Sequence, residues 1–257
     1  MVIGMTEEAQ AGRDAIVTAA LLVIGDEILS GRTKDKNIAT IATHLTDIGI
    51  RLAEVRVVPD VEARIVEAVN ALRPLYDYVI TTGGIGPTHD DITAASIARA
   101  FGVEIGLDER ALAMMRPHYE ARGLVLTEAR KRMARIPAGA ELIANSISHT
   151  PGFMLENVIV LAGIPSIMAV MLEAVTPRLR TGRRLLSATI TVERPESELS
   201  ALLAAAQDNF GDVAMGSYPY VRDGRLGTQL VLRSVDSARL AESERVLRAR
   251  LMDEGLI

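Results

Sequence analysis

The chain has 257 residues and no cysteine, so it can bury a self-sufficient core, while disulfides, thiolate metal sites and cysteine nucleophiles are excluded outright. Its 28 Lys and Arg against 33 Asp and Glu leave a net charge of −5, and 3% of residues are aromatic, which disfavours nucleic acid as a partner. No apolar run approaches the roughly 18 residues of a membrane span, and residues 1–14 lack a signal peptide's basic start and apolar stretch. The expectation is therefore a cytoplasmic protein with no membrane partner, its residues 1–17 forming a flexible tail.

From Thr18 onward, short β-branched runs alternate with helical segments. Residues 20–24 read as a buried strand, 37–48 are apolar at helical spacing and stopped by Gly49, and 51–58 form a second strand. Asp60 is placed to cap a helix that runs to about Arg73, where Pro74 ends it, and Tyr78–Thr82 supplies a third strand. Such a βαβαβ series predicts a mostly parallel sheet with helices on both faces. Ligands then bind beyond the carboxyl ends of the strands, in the loops after Ile24, Val58 and Thr82.

A helix over residues 91–101 is ended by Gly102. Helical stretches near 111–120 and 128–134 carry Arg130, Lys131, Arg132 and, just beyond, Arg135, which read as a solvated basic face. Residues 153–155 and 158–161 flank Glu156-Asn157 as a hairpin, and Pro165 suits the first turn of the following helix. Thr181-Gly182-Arg183-Arg184 is a polar break. Residues 18–180 are thus expected to form an α/β domain, and residues 185–257, patterned strand, helix, strand, strand, helix, a small α+β domain.

The chemistry concentrates in residues 78–93: a strand, a turn holding Gly83, Gly84 and Gly86, then a helix start. Glycines allow positive φ and close approach of a ligand to bare backbone, and successive N–H groups attract anions. The spacing is neither the dinucleotide fingerprint nor the Walker A pattern, because no Lys-Ser/Thr follows the last Gly. Phosphate is the natural guest, with Thr82, Gly83, Gly84, Ile85, Gly86 and Thr88 as binding candidates.

Gly83-Gly84-Ile85-Gly86-Pro87-Thr88 with Asp90-Asp91-Ile92-Thr93 resembles the signature of the MoaB/Mog molybdopterin-binding family in its CinA-like branch, a signature also found in the N-terminal region of eukaryotic FAD synthases. Gly25-Asp26-Glu27-Ile28-Leu29-Ser30-Gly31, Val58-Pro59-Asp60, Ile136-Pro137-Ala138-Gly139-Ala140, Pro151-Gly152-Phe153 and Gly163-Ile164-Pro165 follow in family order. Two positions depart from the longer CinA proteins, which usually have Pro and Glu where this chain has Ala162 and Ile167. The resemblance implies a phosphorylated ligand, namely molybdopterin, ADP-ribose or FAD, with metal-dependent nucleotide pyrophosphatase activity or, alternatively, binding without chemistry. It also implies Mg²⁺ as cofactor, K⁺ as a secondary cation, and a dimer or trimer. The deamidase domain that ends many CinA proteins and the nucleotidyl-transfer domain of FAD synthases do not fit in the remaining residues.

Asp26 and Glu27, adjacent carboxylates where the first strand ends, are the metal candidates; capping and solvation are the bland reading. Asp60 and Asp91 follow neighbouring strands, match acidic positions around the family's ligand and are the catalytic candidates, although both also sit at expected helix starts. Asn37 and Lys131 are further ligand candidates that could equally cap a helix or lie on a wet face. Four scattered histidines show no zinc spacing, and no serine sits in a nucleophile elbow.

Overall fold

The computed structural model describes residues 16–257, and these divide into two compact units, the second beginning at residue 183. The expected tail falls mostly on residues outside the description; Val17 already begins the first strand.

The first unit is built on a six-stranded sheet. Its strands are β1 (Val17–Ile24), β2 (Ile50–Val58), β3 (Tyr78–Thr82), β6 (Glu141–Ile143), β7 (Gly152–Leu155) and β8 (Val158–Leu161), in the order β2-β1-β3-β8-β7-β6. β2, β1, β3 and β8 run parallel, while β7 and β6 are antiparallel additions. Two further strands, β4 (Ile105–Leu107) and β5 (Arg135–Pro137), pair with each other as a separate ribbon. β4, β5 and β6 have three residues each, too few to show a period in the sequence.

β1 is buried along nearly its whole length because both of its faces are covered. Ala20, Leu22 and Ile24 point to one core, with Ile65, Val69 and Leu72 of α3 (Glu62–Leu72), Ile97 of α4 (Thr93–Phe101) and Met115 of α5 (Glu109–Ala121). Ala19, Leu21 and Val23 point to the other, with Ile41 and Leu45 of α2 (Asn37–Asp47) and Met168, Met171 and Leu172 of α7 (Pro165–Val175). The period of two along β1 thus assigns alternate residues to two helical layers, the expected α/β architecture. α1 (Asp26–Leu29) and α6 (Glu128–Lys131) are single turns, and the Glu156-Asn157 hairpin forms with Glu156 at a φ of 50°.

Residues 183–257 form a three-stranded antiparallel sheet in the order β10-β11-β9, from β9 (Leu186–Val192), β10 (Ala214–Arg222) and β11 (Arg225–Ser234). α8 (Glu196–Asn209) and α9 (Ser237–Asp253) supply Leu199, Leu202 and Leu247 to a core with Ile190, Val192, Leu230 and Leu232. Asp236 caps α9, its carboxylate accepting from the amides of Ala238 and Arg239.

Candidate functional site

The glycine loop leaves β3 where the ends of β1 and β8 lie beside it. Gly83 has a φ of 102°, and a Cβ there would lie 2.1 Å from the carbonyl oxygen of Ile24, so only glycine fits between the two strand ends. Its amide donates to Leu161 O at 3.3 Å, and its carbonyl accepts from Thr93 Oγ1 at 2.9 Å. Thr93 also donates its amide to Gly84 O. The first residue of α4 therefore latches the loop, a role that its sequence position alone did not reveal.

This bonding narrows the set of anion donors. The amides of Gly83 and Thr88 are engaged internally, whereas those of Gly84, Ile85 and Gly86 make no hydrogen bond to a described residue. Three successive free N–H groups remain. Ile85 packs its side chain against both cores, so it can offer a ligand its amide. Thr82 Oγ1 is buried without a partner among the described residues.

Asp91 is not a helix cap. α4 begins at Thr93 after Ile92, with no side-chain cap, and the Asp91 carboxylate instead accepts from the amide of Thr88 at 2.8 Å and from its hydroxyl. A Cβ on Gly86 would lie 2.6 Å from that carboxylate, so the glycine makes room for the acid.

Asp60 does not cap α3 either, since the helix begins at Glu62 after Val61 with no side-chain cap. Its Oδ2 accepts the amide of Asp26 at 2.9 Å, joining the loops after β1 and β2. Burial pushes the Asp60 carboxyl above its ordinary range; the Asp26 amide opposes this, while the charges of Glu27, Asp26 and Asp90 add to it. Its charged neighbours thus include Asp90, while Asp91 bonds back to Thr88. Asp26 and Glu27 are exposed, and no group of three or more His, Asp or Glu among the described residues is assembled to hold a metal ion.

Asn37 begins α2 instead of capping it, and the amide of Ile38 goes to Asp35 Oδ1. The Asn37 side-chain amide donates to Gly163 O at 2.8 Å, leaving Oδ1 buried without a partner among the described residues. Lys131 pairs with Glu128 three residues earlier at 2.7 Å. Arg132 and Arg135 are exposed, as expected of a wet face, and they also line a cleft with Gly84, Gly86, Asp91 and Phe153. Sequence reasoning missed both, because nothing in a run of four bases marks which of them face a loop some forty residues earlier. The His89 side chain is 95% exposed.

A parallel sheet with a glycine loop and acidic loops at its carboxyl edge defines the class of α/β domain whose ligand crevice lies beyond the strand ends. Residues 20–181 match the family described as "probable molybdopterin binding domain", and residues 184–257 match "FAD synthase, middle domain". The chain belongs to the first family, the MoaB/Mog-like domains, in its CinA-like branch. A protein of Pyrobaculum calidifontis is 40% identical over 169 residues, 64% of each chain. A CinA-like protein of Geobacter sulfurreducens is 42% identical over 158 residues, 60% of this chain and 38% of its own. The chain therefore spans less than two thirds of the length of these relatives. The crystal structure of CinA from Thermoplasma acidophilum, whose function is unknown, matches with a TM-score of 0.59 at 34% identity, over 63% of this chain and 98% of that one. Among the described residues no helix is long and apolar enough to cross a membrane.

Proposed function

We propose that the crevice at the carboxyl ends of β1, β2 and β3 binds a phosphorylated small molecule and hydrolyses the pyrophosphate of a nucleotide such as ADP-ribose or FAD. The observation that carries this reading is the run of free amides from Gly84 to Gly86, with the acidic group Asp26, Glu27 and Asp60 at the neighbouring strand ends. The match of the second unit to an FAD synthase domain supports a nucleotide as the ligand.

The chemistry of the acidic corner suits Mg²⁺, which takes one or two carboxylates and fills its remaining positions with water and substrate phosphate. Asp26 and Glu27 would hold it, and when bound it would offset charge on the phosphate. The amides of Gly84, Ile85 and Gly86 bind one phosphate and orient it, stabilising the charge that grows as water adds to phosphorus and the bridging P–O bond breaks. Asp60 takes the proton from the attacking water at its carboxylate; its raised pKa brings it closer to the working pH than an ordinary Asp. Asp91 acts on the loop through Thr88 and presents its carboxylate at the cleft.

Incubating the purified chain with ADP-ribose or FAD and Mg²⁺ should release AMP above a metal-free control. No AMP above that control defeats the catalytic reading. One observation favours a second reading, that the crevice binds molybdopterin or a related phosphorylated pterin without chemistry: residues 20–181 match the probable molybdopterin binding domain. Calorimetry separates the two, because saturable binding with no turnover selects the second and turnover rejects it.

A further inference from the structure

Of the four bases between Arg130 and Arg135, two are occupied within the fold. Arg130 donates to Val125 O and lies over the Tyr119 ring, and Lys131 pairs with Glu128. Arg132 and Arg135 form no ion pair or hydrogen bond with a described side chain. Arg132 begins a short turn of 3-10 helix, Arg132–Ala134, and Arg135 opens β5 directly after it. Ala134 is buried, while Met133 and Ile136 share a cleft lining with both arginines, and that lining also includes Gly84, Ile85, Gly86 and Asp91.

The lining carries two cations against the single carboxylate of Asp91, one oxygen of which is already engaged by Thr88. In a chain of net charge −5, two guanidinium groups without a described partner, on the same cleft lining as free backbone amides, supply more positive charge than one phosphate calls for. We infer that Arg132 and Arg135 are the specificity residues for a diphosphate: one phosphate sits on the amides of Gly84 to Gly86, and the second is gripped by the two guanidinium groups. This rests on the phosphate reading of the glycine loop, and it adds that a diphosphate is selected over a monophosphate.

The test is calorimetry on the full chain with two probes, inorganic pyrophosphate and inorganic phosphate, comparing the parent with R132Q/R135Q. The parent should bind pyrophosphate at least ten-fold more tightly than phosphate. The double variant should lose at least ten-fold in pyrophosphate affinity and less than about three-fold in phosphate affinity, with an unchanged melting midpoint. If the parent binds both probes alike, or if a folded double variant keeps its preference, the inference is overturned while phosphate binding by the loop stands. If the parent binds neither probe, the loop reading falls with it. Should the Gln variant unfold, R132K/R135K keeps the charges and removes the bidentate grip; a preserved preference there also overturns the inference.

Discussion

Replacing Asp91 with Asn separates its two roles, because both structural hydrogen bonds end on the same oxygen. Oδ2 accepts from the Thr88 amide at 2.8 Å and from the Thr88 hydroxyl, so an Asn whose amide oxygen takes that place keeps both bonds and loses their charge assistance. Hydrogen bonds to charged groups contribute about 1.5–3 kcal/mol and neutral ones about 0.5–1.5. Thr88 is exposed, so the lower ends apply, and the two bonds together should cost about 1–2 kcal/mol of stability. That corresponds to a fall in Tm of roughly 2–8 °C for a unit of this size. If the Asp91 charge also acts at the phosphate, AMP release from ADP-ribose should drop by one to several powers of ten, at about 1.4 kcal/mol for each. Thermal melts and AMP assays on Asp91→Asn and the parent, at matched Mg²⁺, read the two quantities independently. Unchanged turnover in a folded variant would refute a role in the chemistry, and a much larger loss of Tm would make Asp91 mainly a brace for the loop.

Gly83→Ala should destabilise by about 2–5 kcal/mol, combining strain at a φ of 102° with a clash against the Ile24 carbonyl that backbone cannot relieve. Gly31→Ala, at a φ of 71° with no atom within 4 Å, should cost only about 1–2 kcal/mol; equal urea midpoints for the two variants would contradict the close approach. Because burial raises the Asp60 pKa in the fold, its ionisation opposes folding: the contribution is intact below the ordinary value of 3.8 and is lost as pH rises through the higher folded value. Asp60→Asn retains an acceptor for the Asp26 amide and should gain stability relative to the parent across that window; a difference independent of pH would refute this. Chelation with EDTA should reduce AMP release to background, and Asp26→Asn should raise the Mg²⁺ concentration giving half-maximal turnover, whereas an unaltered Mg²⁺ titration would remove Asp26 from the metal site.

Much of the architecture was legible along the chain. Tyr78–Thr82 could be bounded to the residue because a β-branched run ends abruptly in glycines, and the hairpin at Glu156-Asn157 followed from two apolar runs two residues apart. The family resemblance needed only short blocks in order, and the order of elements from 185 onward followed from pattern alone. The site was legible as a loop but not as a set of contacts. Asp60 and Asp91 precede helices in sequence, where Asp is favoured as a cap, so local statistics left capping open beside the catalytic reading, and only the fold gave both other partners.

Residue type and spacing determined the backbone path, since propensity, period and turn chemistry act over a few neighbours. Pairing between distant groups was settled only when the sheet closed: the Asp26 amide meets a carboxylate 34 residues away, and Asn37 meets Gly163 across 126. The same holds for Arg132 and Arg135, whose neighbours in sequence are other bases and whose neighbours in space include the glycine loop. A hydrogen bond or an ion pair depends on ångström separations, and those separations follow from core packing that no local pattern encodes.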